Sequence, residues 1–191
     1  MDKIEGAMYN SHLMAWKPSF TRYLAVNQRA VDWQLYCTSC GCAETPPGSP
    51  YPPFPQSHPA RYTKNLSSGR IIEEYQLIYI SRGAGAFRTE RTDEQQVRAG
   101  QVLVLFPNLR HSYQPDPETG WDEYWVGFAG PYADQLHQAG FLSVDAPVLD
   151  VGYSEPLLHE YIRVFEIASE QQPGFQLELA SAIMGILAKI I

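Results

Sequence analysis

The side chains of this 191-residue sequence that could ligate a metal or relay a proton are scattered, and their spacing argues against most catalytic chemistry. Three cysteines stand together in CTSCGC, at Cys37, Cys40 and Cys42. A closed zinc site needs four ligands, and no fourth lies nearby in sequence. The thiols fit better as small apolar side chains of a strand beside Trp33, Leu35 and Tyr36. Among the histidines, His12 lies in the leading arm, His58 in a proline-rich loop, and His137 and His159 in predicted helices. Only His111 adjoins a predicted strand. A metal-dependent catalytic barrel brings several imidazoles and a carboxylate to one ion. A single imidazole does not supply that set, and the segment GAGAFRTER carries no H-x-H pair. No metal site and no cofactor are expected. There is no G-x-S-x-G elbow and no phosphate-cradling loop, since no helix follows Gly83-Ala84-Gly85. The sequence therefore predicts no catalytic residues, and a protein that is not an enzyme.

What remains suits binding. Strand alternation puts His111 and Tyr113 on one face, and Glu123 and Trp125 on one face. Arg82 ends a long apolar strand. An imidazole, a phenol, a carboxylate, an indole and a guanidinium fit a small polyhydroxylated ligand. Charged groups bond hydroxyls in pairs, and an indole face stacks on the C–H side of a sugar ring. Each residue also has a plainer role open to it. Trp125 could be core within the apolar run WVGF, Glu123 a surface partner of a base, and Arg82 a residue on the outside of a hairpin.

Strands must position these groups. They are predicted at 33–42, 71–83, 85–92, 94–100, 101–106 and 121–130, with a tight hairpin at Gly83 and Gly85. Short strands with glycine punctuation and few helix signals before residue 130 describe an all-β barrel or sandwich. TPPGSPYPPFPQSHP, from Thr45 to Pro59, predicts an extended loop pinned to the domain by Tyr51 and Phe54. After Pro131 the pattern becomes helical. A short helix ends at Gly140. Ser154 caps a second, with Leu157, Tyr161 and Phe165 on its apolar side, and Pro173-Gly174 breaks it. The last helix carries Leu179, Ile183, Ile186 and Ile190 on one stripe and is apolar around most of its girth, so it must be covered on several sides. Apart from the barrel and the preceding helix, the 61 residues after Gly130 offer too little helix to cover it, which predicts a second subunit or a continuation of the chain.

A net charge of −7 repels phosphate backbones, so these residues alone are not expected to bind nucleic acid. No apolar run approaches a membrane span, and the first twenty residues contain no signal-peptide core. With an odd cysteine count this predicts a cytoplasmic protein.

YQLIYISRGAGAF, followed by VRAGQVLVLFPNLRHSYQPDPETGWDEYWVGFAG, resembles the N-terminal effector-binding and dimerisation domain of AraC-type transcriptional regulators. The order is a strand, R-G-x-G, A-G-[DQ]-x-x-L-x-x-P, H-x-Y, and W-x-x-x-W-V-x-F, across about residues 70–130. The resemblance implies a mainly β fold: a cupin-like (double-stranded β-helix) barrel, metal-free, followed by C-terminal α-helices. It implies an arm over residues 1–30, the barrel over 31–130 and a helical dimerisation region over 131–191. In the arabinose-responsive member the sugar lies in the barrel under an N-terminal arm. Its arginine before the hairpin falls on Arg82, its histidine and tyrosine on His111 and Tyr113, and its tryptophan on Trp125. A threonine contact falls loosely on Thr45. Glu123 stands where that member has histidine, so the ligand need not be the same. A homodimer is implied, and with it a contact through Leu157, Tyr161, Phe165, Leu179, Ile183, Ile186 and Ile190. Such regulators bind DNA through a pair of C-terminal helix-turn-helix units, which this sequence does not contain. The expectation is a sensor of a sugar or related small polar effector. The rival readings are a stand-alone metal-dependent cupin enzyme acting on a sugar-like substrate, or a structural module whose barrel is filled by its own side chains.

Overall fold

A computed structural model describes residues 19–52 and 69–191. In chain order the elements are β1 (Ser19–Tyr23), α1 (Gln28–Asp32), β2 (Tyr36–Thr45), β3 (Tyr75–Thr89), β4 (Gln95–Arg98), β5 (Gln101–Leu105), β6 (His111–Pro115), β7 (Trp121–Ala129), α2 (Pro131–Gln138), β8 (Val148–Asp150), α3 (Glu155–Glu170) and α4 (Phe175–Ile190). The strands pair antiparallel in the order β1-β2-β7-β3-β5-β8, and β4 and β6 pair with the second half of β3. This is a mainly β, cupin-like sheet with C-terminal helices. The sequence predicts a barrel; among the described strands the path ends at β1 and β8, which do not pair with each other. No helix among the described residues is long and apolar enough to cross a membrane.

The expected hairpin at Gly83 and Gly85 is absent. β3 runs unbroken through both glycines and exchanges partners there, leaving β5 and β7 for β4 and β6. The glycines permit a close crossing rather than a turn. A Cβ on Gly83, whose φ is 81°, would meet the Gly120 carbonyl oxygen at 2.0 Å. One on Gly85 would meet the Gln114 carbonyl at 2.3 Å and the Trp121 ring at 2.6 Å. Residues 19–23, expected within the arm, form an edge strand on β2, and Gln28 begins α1; His12 and the other arm residues before Ser19 lie outside the described residues.

Alternation along the strands separates two faces. Cys37, Cys40, Cys42, Tyr75, Leu77, Tyr79, Val102, Val104, Val126 and Phe128 point to one side, where they form a single core with α3 and α4. The three thiols are buried there as apolar filling. Ser154 caps α3 by accepting a bond from the Leu157 N–H at 3.3 Å, and the Tyr161 hydroxyl donates to the Leu77 carbonyl at 3.2 Å.

The helical residues expected at a dimer contact are inside this core. Leu157, Tyr161, Phe165, Leu179, Ile183 and Ile186 are fully buried, and Ile190 nearly so, within one chain. The sheet supplies the cover that the preceding helix alone does not, because α4 lies on β2 as well as on α3. The outward side of α4 carries Glu178, Ser181, Met184 and Ala188.

Gln176 locks the start of α4 to β2. Its amide nitrogen donates to the carbonyls of Ala25 and Cys37, both at 3.0 Å, and its oxygen accepts from the Cys37 N–H at 3.0 Å. Gln176→Ala leaves these backbone groups unpaired. It should cost roughly 2–4 kcal/mol in urea denaturation; a loss under roughly 1 kcal/mol would mean that water replaces the amide.

Candidate functional site

The face away from the helices is apolar at one end and polar at the other. Ile78, Ile80, Phe87, Leu103, Leu105 and Trp121 form its buried core. Along β7, Trp121, Glu123 and Trp125 all point to it, opposite Thr45, Ala43 and Gly41 of β2. Gly41 gives Trp125 its place: a Cβ there would stand 2.3 Å from the indole ring. β6 adds His111 and Tyr113.

Two further residues complete the cluster. Arg70 precedes β3 and forms an isolated bridge with His111, Arg70 N–H to His111 carbonyl at 2.8 Å and the reverse bond at 3.0 Å. Its Nε donates to His111 Nε2 at 3.2 Å, an Nη2 proton goes to the Tyr113 hydroxyl, and the guanidinium lies 5.1 Å from the centre of the Tyr113 ring. His111 Nδ1 lies 3.0 Å from the Leu109 carbonyl. Donation to that carbonyl leaves Nε2 to accept from Arg70, so the imidazole is the neutral tautomer. Burial first, and the neighbouring guanidinium second, lower its pKa to about 3.

Tyr51, from the proline-rich loop, sets its hydroxyl 3.1 Å from both oxygens of Glu123. It also meets Trp121 and Tyr113 edge-on, with ring centres 5.7 and 6.1 Å away. Tyr51 thus pins the loop as expected; Phe54 and His58 lie outside the described residues. Burial raises the Glu123 carboxyl to about 7, against the lowering effect of the Tyr51 bond and of Arg70. Burial likewise raises the Tyr51 and Tyr113 phenols, so both stay protonated donors.

His111, Tyr113, Glu123 and Trp125 therefore come together, as alternation implied. Arg82 does not. The register shifts between Ile80 and Arg82, and the bulge turns Arg82 away from the face that Ile80 shares. Its guanidinium binds both oxygens of Asp122 at 2.7 Å and is largely exposed. The arginine of the cluster is Arg70. Thr45 lies on the cluster's face beside Trp121, and the Thr45 hydroxyl and the Trp121 indole N–H are buried without a hydrogen-bond partner. Thr45 and Tyr51 also line a cleft of about 260 Å³. Sequence reasoning missed Arg70, Tyr51 and Trp121 as site residues. Trp121 was legible, since W-x-E-x-W puts both indoles on the face of the carboxylate. Among the described residues no three histidine, cysteine or acidic side chains gather as metal ligands would.

Residues 58–187 match the family model of the AraC-like ligand binding domain. The chain belongs to that family. This AraC-like domain is 29% identical over 119 residues to the MmsAB operon regulatory protein of Pseudomonas aeruginosa, a match covering 60% of this chain and 38% of the regulator. The chain thus spans well under half of the curated relative it matches. Among solved structures it is similar to the protein YhaK from Escherichia coli, with a TM-score of 0.43 and 12% identity over 60% of this chain and 46% of the other. It is also similar to an oxalate decarboxylase of Bacillus subtilis, with a TM-score of 0.37 and 18% identity over 60% of this chain and 26% of the other.

Proposed function

We propose that this AraC-like domain is the sensing module of a transcription regulator, without catalytic activity of its own, and that its effector is a sugar or a similar small polar molecule. The observation that carries this reading is the polar cluster of Arg70, His111, Tyr113, Glu123 and Tyr51, set among Trp121 and Trp125 on the face the helices leave uncovered. Buried polar groups are costly and are kept where they are used. Aromatic walls with a few fixed donors and acceptors are how proteins hold small polar ligands. In this reading the domain also pairs with a second copy, and the effector biases how attached DNA-binding segments are presented. The ligand can shift that balance only by its difference in affinity for the two arrangements.

Calorimetric titration of a panel of mono- and oligosaccharides tests the site. Arg70→Met should weaken binding by about a hundredfold, since it removes the charge and leaves His111 and Tyr113 without their donor. Arg82→Ala should change affinity less than about twofold, because an exposed ion pair is worth little. Equal affinities for Arg70→Met and the parent would place the ligand elsewhere.

A further inference from the structure

We propose that the ligand of this site carries a protonated amine, and that Glu123 is the group that receives it. The proposal rests on the site reading above and narrows its ligand class.

Glu123 is buried, yet its partners are too few for a carboxylate. A carboxylate can accept about four hydrogen bonds. Here one neutral phenol, Tyr51, is shared between both oxygens. None of the ion pairs among the described residues includes Glu123. Its neighbours across the strands are Ala43 and Ile80, which offer no side-chain donor. Arg70, the basic group of the cluster, is turned towards His111 and Tyr113. A buried charge is tolerable when it is paired; among the described residues Arg70 lends Glu123 some positive field but forms no ion pair with it.

The surroundings favour a cation over a hydroxyl. Tyr51, Tyr113 and Trp121 pack on one another beside the carboxylate, with ring centres 5.7 to 6.1 Å apart, and the Tyr113 face already holds the Arg70 guanidinium. Aromatic faces attract ammonium groups, most strongly where water is excluded. The overall charge of −7 also raises the local concentration of cations. Tyr51 bonds Glu123 and also lines, with Thr45 and Gln114, a cleft of about 260 Å³. In this proposal the rest of a small amine occupies that cleft, whose lining includes Thr45. The raised carboxyl of Glu123 agrees with this: without ligand, a proton supplies some of the missing positive charge.

Calorimetry with matched pairs tests the proposal: glucosamine against glucose, galactosamine against galactose, and amino alcohols against the corresponding diols. In the parent protein the amine of a pair should bind about tenfold or more tightly than its hydroxyl partner. Glu123→Gln keeps the shape and removes the charge, and should collapse that preference, with circular dichroism confirming the fold. Hydroxyl members binding as tightly as amines, or a preference that survives Glu123→Gln, overturns the amine proposal and leaves the site reading in place. Binding by neither series overturns both.

Discussion

Ile183→Glu should unfold this chain rather than merely separate one copy from another. Ile183 is fully buried in the core that α4 shares with α3 and the sheet. The substitution removes the transfer free energy of a whole isoleucine side chain, roughly 2–3 kcal/mol. It also puts an unpaired carboxylate where no cation waits, which costs several kcal/mol more or forces the group to take up a proton. Domains of this size are stable by roughly 5–15 kcal/mol, so most of that margin disappears. Met184 provides the control. It is the next residue on the same helix and is 46% exposed. Met184→Glu should change the stability measured in urea by no more than about 0.5 kcal/mol. If the proposed homodimer uses the outward side of α4, Met184→Glu is the variant that turns it into monomer in sedimentation. A folded, stable Ile183→Glu would contradict the packing of α4 against α3 and β2.

That contrast marks how far the sequence could be read. The stripe from Leu179 to Ile190 was legible as buried, because apolar residues recur at helical spacing. What covers the stripe was not, because periodicity names no partner. The sheet has its own apolar side from Tyr75, Leu77 and Tyr79, and the two sides meet within one chain. β5, β7 and the first half of β3 were legible as strands between turn residues, and His111, Tyr113, Glu123 and Trp125 from alternation; the second half of β3 was read as a separate strand across a hairpin that the chain does not make. Arg82, taken from its place at the end of the strand and from the resemblance, lies off that face because a bulge at the Ile80–Arg82 step breaks the rule that residues two apart share a face. Nothing in the letters ISRG announces a bulge. Arg70 escaped because it belongs to a two-residue bridge, too short to leave a pattern. Tyr51 was read as a pin, which it is, but the target of its hydroxyl depends on how the loop folds back onto β7.

The pH dependence of stability should change form when Glu123 is made neutral. Its carboxyl rises from an ordinary 4.5 to about 7 on folding, through burial. The folded chain therefore holds this proton more tightly than the unfolded chain does. Stability must fall as pH climbs from about 4.5 to about 7, by roughly 3 kcal/mol in all. His111 acts the other way. Burial and Arg70 lower it from 6.5 to about 3, so the unfolded chain takes up that proton first. Stability from this group is lost as pH falls through that window, by roughly 5 kcal/mol. Between about 4.5 and 6.5 the two effects oppose each other and the parent should show a shallow profile. Glu123→Gln leaves only the histidine effect. Its stability should climb up to about pH 6.5 and then level off. It should exceed the parent's by roughly 3 kcal/mol at pH 8 and match it near pH 4. Urea denaturation of both proteins from pH 4 to 8 measures the difference, in which the remaining carboxylates cancel. A variant no more stable than the parent at pH 8 would mean that Glu123 is solvated after all. A more stable variant would mean that the chain keeps a carboxylate its fold does not need, and such groups are retained where binding requires them.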